Sequence, residues 1–266
     1  MNPVSKETEK LAQLIIGSER IIVFTGAGVS TESGIPDFRS PGGIWTRYDP
    51  EDFTIHKFLS SRETRLIHWK MYTETRLFTR SEPNAAHYAA AELHKMSKLD
   101  CVITQNIDML HQKAGVPEDK VFELHGSMRW VLCLGCRRRF PLPEVLQKVE
   151  QGIEVPDCPD RGNILKPDVV FFGEALPQDT LTEAIRRSQG CDLFIVIGST
   201  LIVYPAAYMP TYALSAGAKL AIVNLTSTPL DHRAAVVVQG RAAEIMSQVM
   251  ERVGVLRSSD LSETDN

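Results

Sequence analysis

No stretch of the 266 residues approaches the ~18 consecutive apolar positions that a membrane-crossing helix needs, so no membrane span is expected. A basic excess is missing too. Lys and Arg number 29 against 33 Asp and Glu, a formal net charge of -4, whereas a general nucleic-acid or membrane-surface binder is usually basic. No membrane partner and no direct nucleic-acid binding are therefore expected. The one dense basic run, Arg137-Arg138-Arg139, reads as a solvated face. Cysteines are few and odd in number, five in all, and Met1 to Arg20 mixes Lys6, Glu7, Glu9 and Lys10 with short apolar stretches unlike a secretion signal. Reduced thiols in a cytoplasmic protein are the expectation, with Cys133-x-x-Cys136 as possible metal ligands. Internal repeats are absent as well.

What is present is a set of short apolar runs: Ile21–Phe24, Cys101–Ile103, Leu193–Ile197, Leu220–Val223 and Ala235–Val238, with Val121-Phe122 and Val169–Phe172 as shorter candidates. They read as buried parallel strands. Helix-like stretches lie between them: Asn84–Met96, Asp179–Ser188 and Pro205–Ala216. This alternation predicts an α/β fold, a Rossmann-like parallel sheet with helices on both faces. Two stretches, 41–83 and 129–165, break the pattern and predict a smaller module, part helical and part zinc-ribbon-like. The large domain is then discontinuous, spanning 1–40, 84–128 and 166–256, and the polar tail 257–266 is expected to be disordered.

Six proposed strands run into small or polar residues: Thr25-Gly26-Ala27-Gly28, Thr104-Gln105-Asn106-Ile107-Asp108, Glu123-Leu124-His125-Gly126, Gly198-Ser199-Thr200, Asn224-Leu225-Thr226 and Gln239-Gly240. Ligands of open parallel sheets bind outside the carboxyl ends of the strands, so these ends mark a ligand site. Gly26-Ala27-Gly28 after a strand suits close approach to a phosphate, or else simply a tight turn. The dinucleotide fingerprint is incomplete, with Thr31 where its third glycine would fall and no acidic residue ending a second strand. A hydride-transferring dehydrogenase is disfavoured.

The run Gly26-Ala27-Gly28-Val29-Ser30-Thr31-Glu32-Ser33-Gly34-Ile35-Pro36-Asp37-Phe38-Arg39 resembles the signature loop of the sirtuins. Thr104–Asp108, Leu124-His125-Gly126, Lys166–Glu174, Gly198-Ser199-Thr200 and Val223-Asn224-Leu225 resemble further family motifs in the same order. The resemblance runs from about Leu14 to about Met250 and is closest to the compact microbial members. It implies an NAD-dependent protein-lysine deacetylase acting on acetylated proteins or peptides, with release of nicotinamide and transfer of the acetyl group to ADP-ribose. The alternative is mono-ADP-ribosyl transfer or NAD hydrolysis in the same pocket.

By that resemblance His125 is the general base, Gln105 and Asn106 contact the ribose beside Ile107, and Asp108 holds the nicotinamide carboxamide. Gly26, Ala27, Gly28, Thr31, Asp37 and Arg39 would hold the cofactor, Phe38 would shield the reacting carbon, and Gly198, Ser199, Thr200, Asn224 and Leu225 would line the remaining cofactor site. Val170, Phe172, Gly173 and Glu174 would meet the peptide, with Val169 and Phe171 simply buried. On chemistry alone, His125 has a side chain suited to proton transfer near neutral pH, and it is the one histidine of seven at a strand end. His87, His94 and His111 lie in helix-like stretches and read as structural. Asn106 and Asp108 would otherwise be turn-stabilising side chains.

Cys133, Cys136 and Cys158 fit three-quarters of a zinc site, with a 21-residue spacer close to the usual ~15–20. Arg161 occupies the fourth ligand position. Asp157, Asp160 or water could complete the tetrahedron, and Cys191, at the start of a core strand, reads as a buried hydrophobe.

Overall fold

The computed structural model describes residues 5–75 and 80–264, with side chains through Ser259. Six parallel strands form the main sheet: β1 (Ile21–Thr25), β2 (Leu99–Thr104), β3 (Val121–Glu123), β7 (Leu193–Ile197), β8 (Lys219–Asn224) and β9 (Val236–Gln239). Their order is β3-β2-β1-β7-β8-β9. The chain thus builds outward from β1 in one direction and, from β7, in the other. Between β1 and β7 lies the topological switch point, where the two following loops diverge and leave a crevice.

The strands are apolar on both sides because both sides are covered. Val23, Val102, Ile195, Ile197, Ala221 and Val223 pack with the helices Lys6–Ile16, Ala85–Lys95 and the first turns of Ala242–Thr264. Alternate residues Ile22, Phe24, Ile103, Phe194, Val196 and Ile222 pack with Gln178–Ser188 and Met209–Ser215. The period of two sends successive side chains to opposite layers. Asn84 starts its helix as an N-cap, its side chain accepting from Ala86 N–H while His87 Nδ1 accepts from Asn84 N–H at 3.2 Å.

Three antiparallel strands, β4 (Gly126–Cys133), β5 (Arg139–Pro141) and β6 (Leu165–Val169), form the smaller sheet in the order β5-β4-β6. With the helices Arg62–Thr75 and Leu142–Glu150 they enclose a separate core around Phe58, Trp69, Tyr72, Phe140 and Phe171.

Three expectations change. Val169–Phe172 is no strand of the main sheet: β6 ends at Val169, and its strand belongs to the small sheet. The run looked like a buried strand because Val169 and Phe171 are buried, yet Phe172 is 48% exposed. Strands of the small sheet consequently include Gly126–Met128 and Lys166–Val169, residues that sequence alone placed with the large domain. Finally, of the tail 257–266 that was expected to be disordered, 257–264 continues the helix Ala242–Thr264, and 265–266 lie outside the described residues. Polarity does not end a helix without a breaker, and Ser258 and Ser259 hydroxyls bond the carbonyls of Gly254 and Val255 four residues back.

Candidate active site

The loops after β1 and β7 touch backbone to backbone. Gly28 N–H donates to Gly198 C=O at 2.9 Å, and a Cβ on Gly28 would stand 2.8 Å from that same oxygen. Gly198 has φ +63, and a Cβ there would lie 2.2 Å from Val29 N. The glycines are required by this contact, which holds the crevice mouth in one shape.

Thr104 at the end of β2 leads into the next wall. Asn106 Nδ2 donates to Gly26 C=O at 3.2 Å and to Ser30 Oγ at 3.1 Å, and Ser30 Oγ–H donates to Asp108 Oδ2 at 2.7 Å. Asp108 is 5% exposed; burial raises its carboxyl pKa, opposed by bonds from Leu110 N–H and Ser30. Behind Ser30, His87 lies within 3.4 Å of its hydroxyl. His87 Nδ1 accepts from Asn84 N–H, so Nε2 carries the proton and donates to Ser30. Burial holds the His87 pKa down at about 4. His111, fully buried, reaches Thr25 Oγ1 at 3.0 Å, and Thr25 donates to Thr104 at 2.7 Å. Sequence reading placed His87 and His111 in the structural background. Both belong to the buried lattice that fixes Ser30, Asn106 and Asp108, and the Asn84-x-x-His87 capping pair was its only local sign.

His125 follows β3. Its Nδ1 is 2.8 Å from the carbonyl of Gln105. A carbonyl only accepts, so Nδ1 carries the proton and Nε2 keeps a free lone pair, the state a general base needs. Gln105 Nε2 donates to Ser199 Oγ at 2.9 Å, tying the β2 and β7 loops together. Gly126, at φ +74, lets β4 cross under His125: a Cβ would stand 2.2 Å from Asp168 C=O. Val170 N–H donates to His125 C=O at 2.8 Å, which brings the segment expected to meet the peptide beside His125.

Phe38 joins an aromatic wall. Its ring is 5.1 Å from Trp45, which lies 4.9 Å from Phe53 and 6.2 Å from Phe172. Trp45 was not singled out from sequence, where the stretch after Pro41 read as loop and short helices. Asp37 spends its carboxylate inside the loop, accepting from Arg39 N–H, Ser40 N–H and Ser40 Oγ–H, so it shapes the turn that carries Arg39. Arg39 is exposed and has no ion-pair partner among the described residues. Thr31 and Thr200 are exposed at the crevice loops, and Ile107 packs toward the small module. At the far end Asn224 is buried and its amide bonds Thr226 C=O, while Leu225 is 61% exposed. A guanidinium with no ion-pair partner among the described residues and a glycine-lined crevice at the switch point fit a dinucleotide.

Cys133 ends β4, and the chain between β4 and β6 brings Cys136 and Cys158 to it. The sulfurs of Cys133, Cys136 and Cys158 lie within 4.8 Å of one another, with Cys136 and Cys158 3.8 Å apart. Cys136 N–H donates to Cys133 Sγ at 3.4 Å. Donor set and spacing fit three of zinc's four ligands. No fourth ligand joins them among the described residues: Asp160 is 2.7 Å from Arg138, and Arg161 is exposed. Arg139 pairs with Asp168, so two members of the basic run are neutralised locally. Cys191 is buried and remote from this cluster, as expected. With one ligand short, purified protein should carry less than one zinc per chain, and Arg161→Cys should bring it toward one with a higher Tm. Elemental analysis without chelator checks this, and full, chelator-resistant zinc in the unaltered chain would contradict it.

A Rossmann-like sheet with its polar crevice at the switch point, a histidine with a free Nε2 at its rim and a cysteine-bearing module beside it define a class of dinucleotide-using enzymes. The Sir2 family model matches residues 26–205, and the chain belongs to the Sir2 family. It is 45% identical over 253 residues to the NAD-dependent protein deacylase 2 of Archaeoglobus fulgidus, covering 95% of this chain and 98% of that one. It is 41% identical to the NAD-dependent protein deacetylase of Thermotoga maritima, covering 93% and 98%. A structure solved to explain the mechanism and regulation of Sir2 enzymes superposes with a TM-score of 0.87 at 44% identity, covering 95% of this chain and all of that one. A Sir2 complex with a p53 peptide and NAD+ gives a TM-score of 0.83 at 40% identity, covering 91% and 97%.

Proposed function

We propose that this chain removes acetyl groups from lysine side chains of peptides and proteins, consuming NAD and releasing nicotinamide. The carrying observation is His125, whose Nδ1 is locked to the Gln105 carbonyl so that Nε2 stands ready to take a proton. When bound, NAD supplies the electrophilic ribose carbon and the leaving group. Gly26, Ala27, Gly28, Thr31 and Arg39 hold its phosphate and ribose region, and Gly198, Ser199, Thr200, Asn224 and Leu225 its adenosine end. Gln105, Asn106 and Ile107 grip the ribose beside the reacting carbon, and Asp108 takes the carboxamide. The Phe38–Trp45 wall keeps water from the reacting centre. Val170, Phe172 and Gly173 receive the acyl-lysine and its peptide. With NAD and the acyl-lysine bound, His125 Nε2 would take the proton of a ribose hydroxyl. That hydroxyl's oxygen would bond the acetyl carbon as the carbon's bond to the lysine nitrogen breaks, one water being consumed overall. The relatives named as NAD-dependent deacylases and deacetylases support this reading, as does a Sir2 enzyme captured with a deacetylated peptide and O-acetyl ADP ribose. Incubation with an acetylated peptide should release nicotinamide in an NAD- and peptide-dependent manner; no release with an intact NAD site would refute it.

We place the enzyme in the cytoplasm, where a reducing environment suits its five free thiols. Among the described residues no helix is long and apolar enough to cross a membrane.

Small neutral acyl groups should be preferred over succinyl or malonyl. Sirtuins that accept acidic chains carry a Tyr and an Arg three apart on the small module, whereas Tyr72 and Arg76 here are four apart; Arg76 lies outside the described residues. Tyr72 is 4% exposed within the small core. Equal kcat/KM for succinyl- and acetyl-lysine peptides would contradict this.

Activity should persist to low pH. Burial lowers the His125 pKa from 6.5, opposed by the Gln105 bond. A base works unprotonated, so a lowered pKa extends the active range toward acid, and activity is lost as pH falls through that lowered value. The acid limb of kcat/KM should therefore lie below 6.5; a limb centred near pH ~7 or higher would contradict the assignment.

A further inference from the structure

Lys166 is a cation in the protein interior, 4% exposed. An ammonium there is costly unless all three N–H groups and the charge find partners. They do: Nζ donates to Val169 C=O at 2.6 Å, Pro167 C=O at 3.2 Å and Glu174 Oε2 at 2.9 Å. The Phe171 ring lies 4.6 Å from the nitrogen. Glu174 was expected to meet the substrate. Its carboxylate instead turns inward, where the same oxygen also accepts from Phe171 N–H at 2.8 Å, while Glu174 N–H donates to Phe171 C=O at 3.0 Å.

Between these anchors the chain forms an arch. One foot is Val170, whose N–H holds the His125 carbonyl, and the other is Glu174 on Lys166. At the crown, Phe172 exchanges backbone bonds with Phe53 and Ile55, and Gly173 takes φ +89. Phe172 remains 48% exposed, presented outward. The arch is short, and no regular sheet supports its crown. Among the described residues, the buried ion pair is its only charged fastening.

We propose that the Lys166–Glu174 pair is a positioning device for substrate binding. It sets the height and orientation at which Phe172 and Gly173 meet the acyl-peptide, and through Val170 it fixes that segment against His125. The inference rests on the reading that Val170–Glu174 is the peptide-binding segment. Neutralising one partner leaves the other charge buried and alone, so water enters and the arch loosens. Neutralising both removes that penalty, and Gln at 174 still accepts from Phe171 N–H.

The test is steady-state deacetylation by the full chain with peptide and NAD varied in turn, for Lys166→Met, Glu174→Gln and the double variant, alongside Val170→Ala and Phe172→Ala. Each single variant at the ion pair should raise the peptide KM about tenfold and leave the NAD KM within about twofold. The double variant should recover at least about half of that loss on a logarithmic scale, because no buried charge is left unpaired. The recovery keeps the proposal testable even where a single variant folds poorly. Unchanged peptide KM in the single variants would overturn it, as would equal rises for peptide and NAD, or a double variant as impaired as the product of the singles. If Val170→Ala and Phe172→Ala leave the peptide KM unchanged, the segment is not the peptide site and the proposal falls at its premise. If those two raise it and the ion-pair variants do not, the strut alone is wrong.

Discussion

His125→Ala is expected to lower deacetylation by about 10²–10⁴-fold while NAD still binds, because a positioned general base contributes that much and a ribose hydroxyl is otherwise a poor nucleophile. The imidazole is fixed by one bond to Gln105 C=O and lies in a half-buried position after β3, so its removal takes away the proton acceptor without cutting a network that holds the crevice. The crevice itself depends on the glycine contact between the β1 and β7 loops and on the Asn106–Ser30–Asp108 bonds, none of which involves His125. Nicotinamide exchange should survive in the variant, since the bond to nicotinamide breaks before the hydroxyl is deprotonated. Retention of more than about a tenth of the turnover would remove His125 from the role of base. Calorimetric NAD titration beside the turnover assay separates lost chemistry from lost binding.

Gly198→Ala should damage NAD binding, the second large effect expected. Its backbone sits at φ +63, and the new methyl would fall 2.2 Å from Val29 N and 2.5 Å from Gly28 C. Both are main-chain atoms with no rotamer to yield, so the loops after β1 and β7 must part. The strain of a non-glycine at positive φ costs ~1–3 kcal/mol before any clash. Since ~1.4 kcal/mol corresponds to tenfold, the NAD KM should rise by more than about tenfold and Tm should fall. Gly217→Ala supplies the control. Gly217 has φ +94 with nothing within 4 Å of the added Cβ, so it carries the strain without the clash and lies away from the crevice. Its variant should lose some stability and keep its NAD KM. Equal effects on NAD KM at the two positions would mean that general destabilisation, not the loop contact, explains the result.

Much of this was legible in the sequence because central parallel strands are apolar on both faces. Leu193–Ile197 is buried at every position, and its boundaries read directly from the run of large apolar residues. The loops that follow these strands line the sheet's ligand-binding edge, which is why they marked a ligand site before any coordinates. The roles expected of His125, Asn106 and Gly198 came from the family resemblance. The small module was harder. β4 changes from leaving the His125 loop to pairing with β6 within a few residues, with a register irregularity between Gly126 and Val131, and no periodicity announces such a change. The run Val169–Phe172 misled for the same reason, since four apolar residues look alike whether they continue a strand or turn a corner. Least visible was the partnership of side chains distant in sequence. His111 meets Thr25 across 86 positions, and Ser30 meets Asp108 across 78, so each looked ordinary in its own helix or loop.

Glu174 shows a different limit. Residue type and motif placed it with the substrate-binding residues, yet a carboxylate can serve a binding segment from beneath as well as from its surface. Which of the two it does depends on the cation at Lys166, eight residues earlier and buried.

The central claim is that the acetyl group leaves lysine for ADP-ribose in a reaction that consumes NAD. Mass spectrometry of the products from one acetylated peptide and NAD, quantified together in a single incubation, tests it most directly. Nicotinamide, deacetylated peptide and O-acetyl-ADP-ribose should form in equal amounts. Free acetate with NAD unconsumed, or ADP-ribose found free or attached to peptide with the acetyl group still in place, would contradict it.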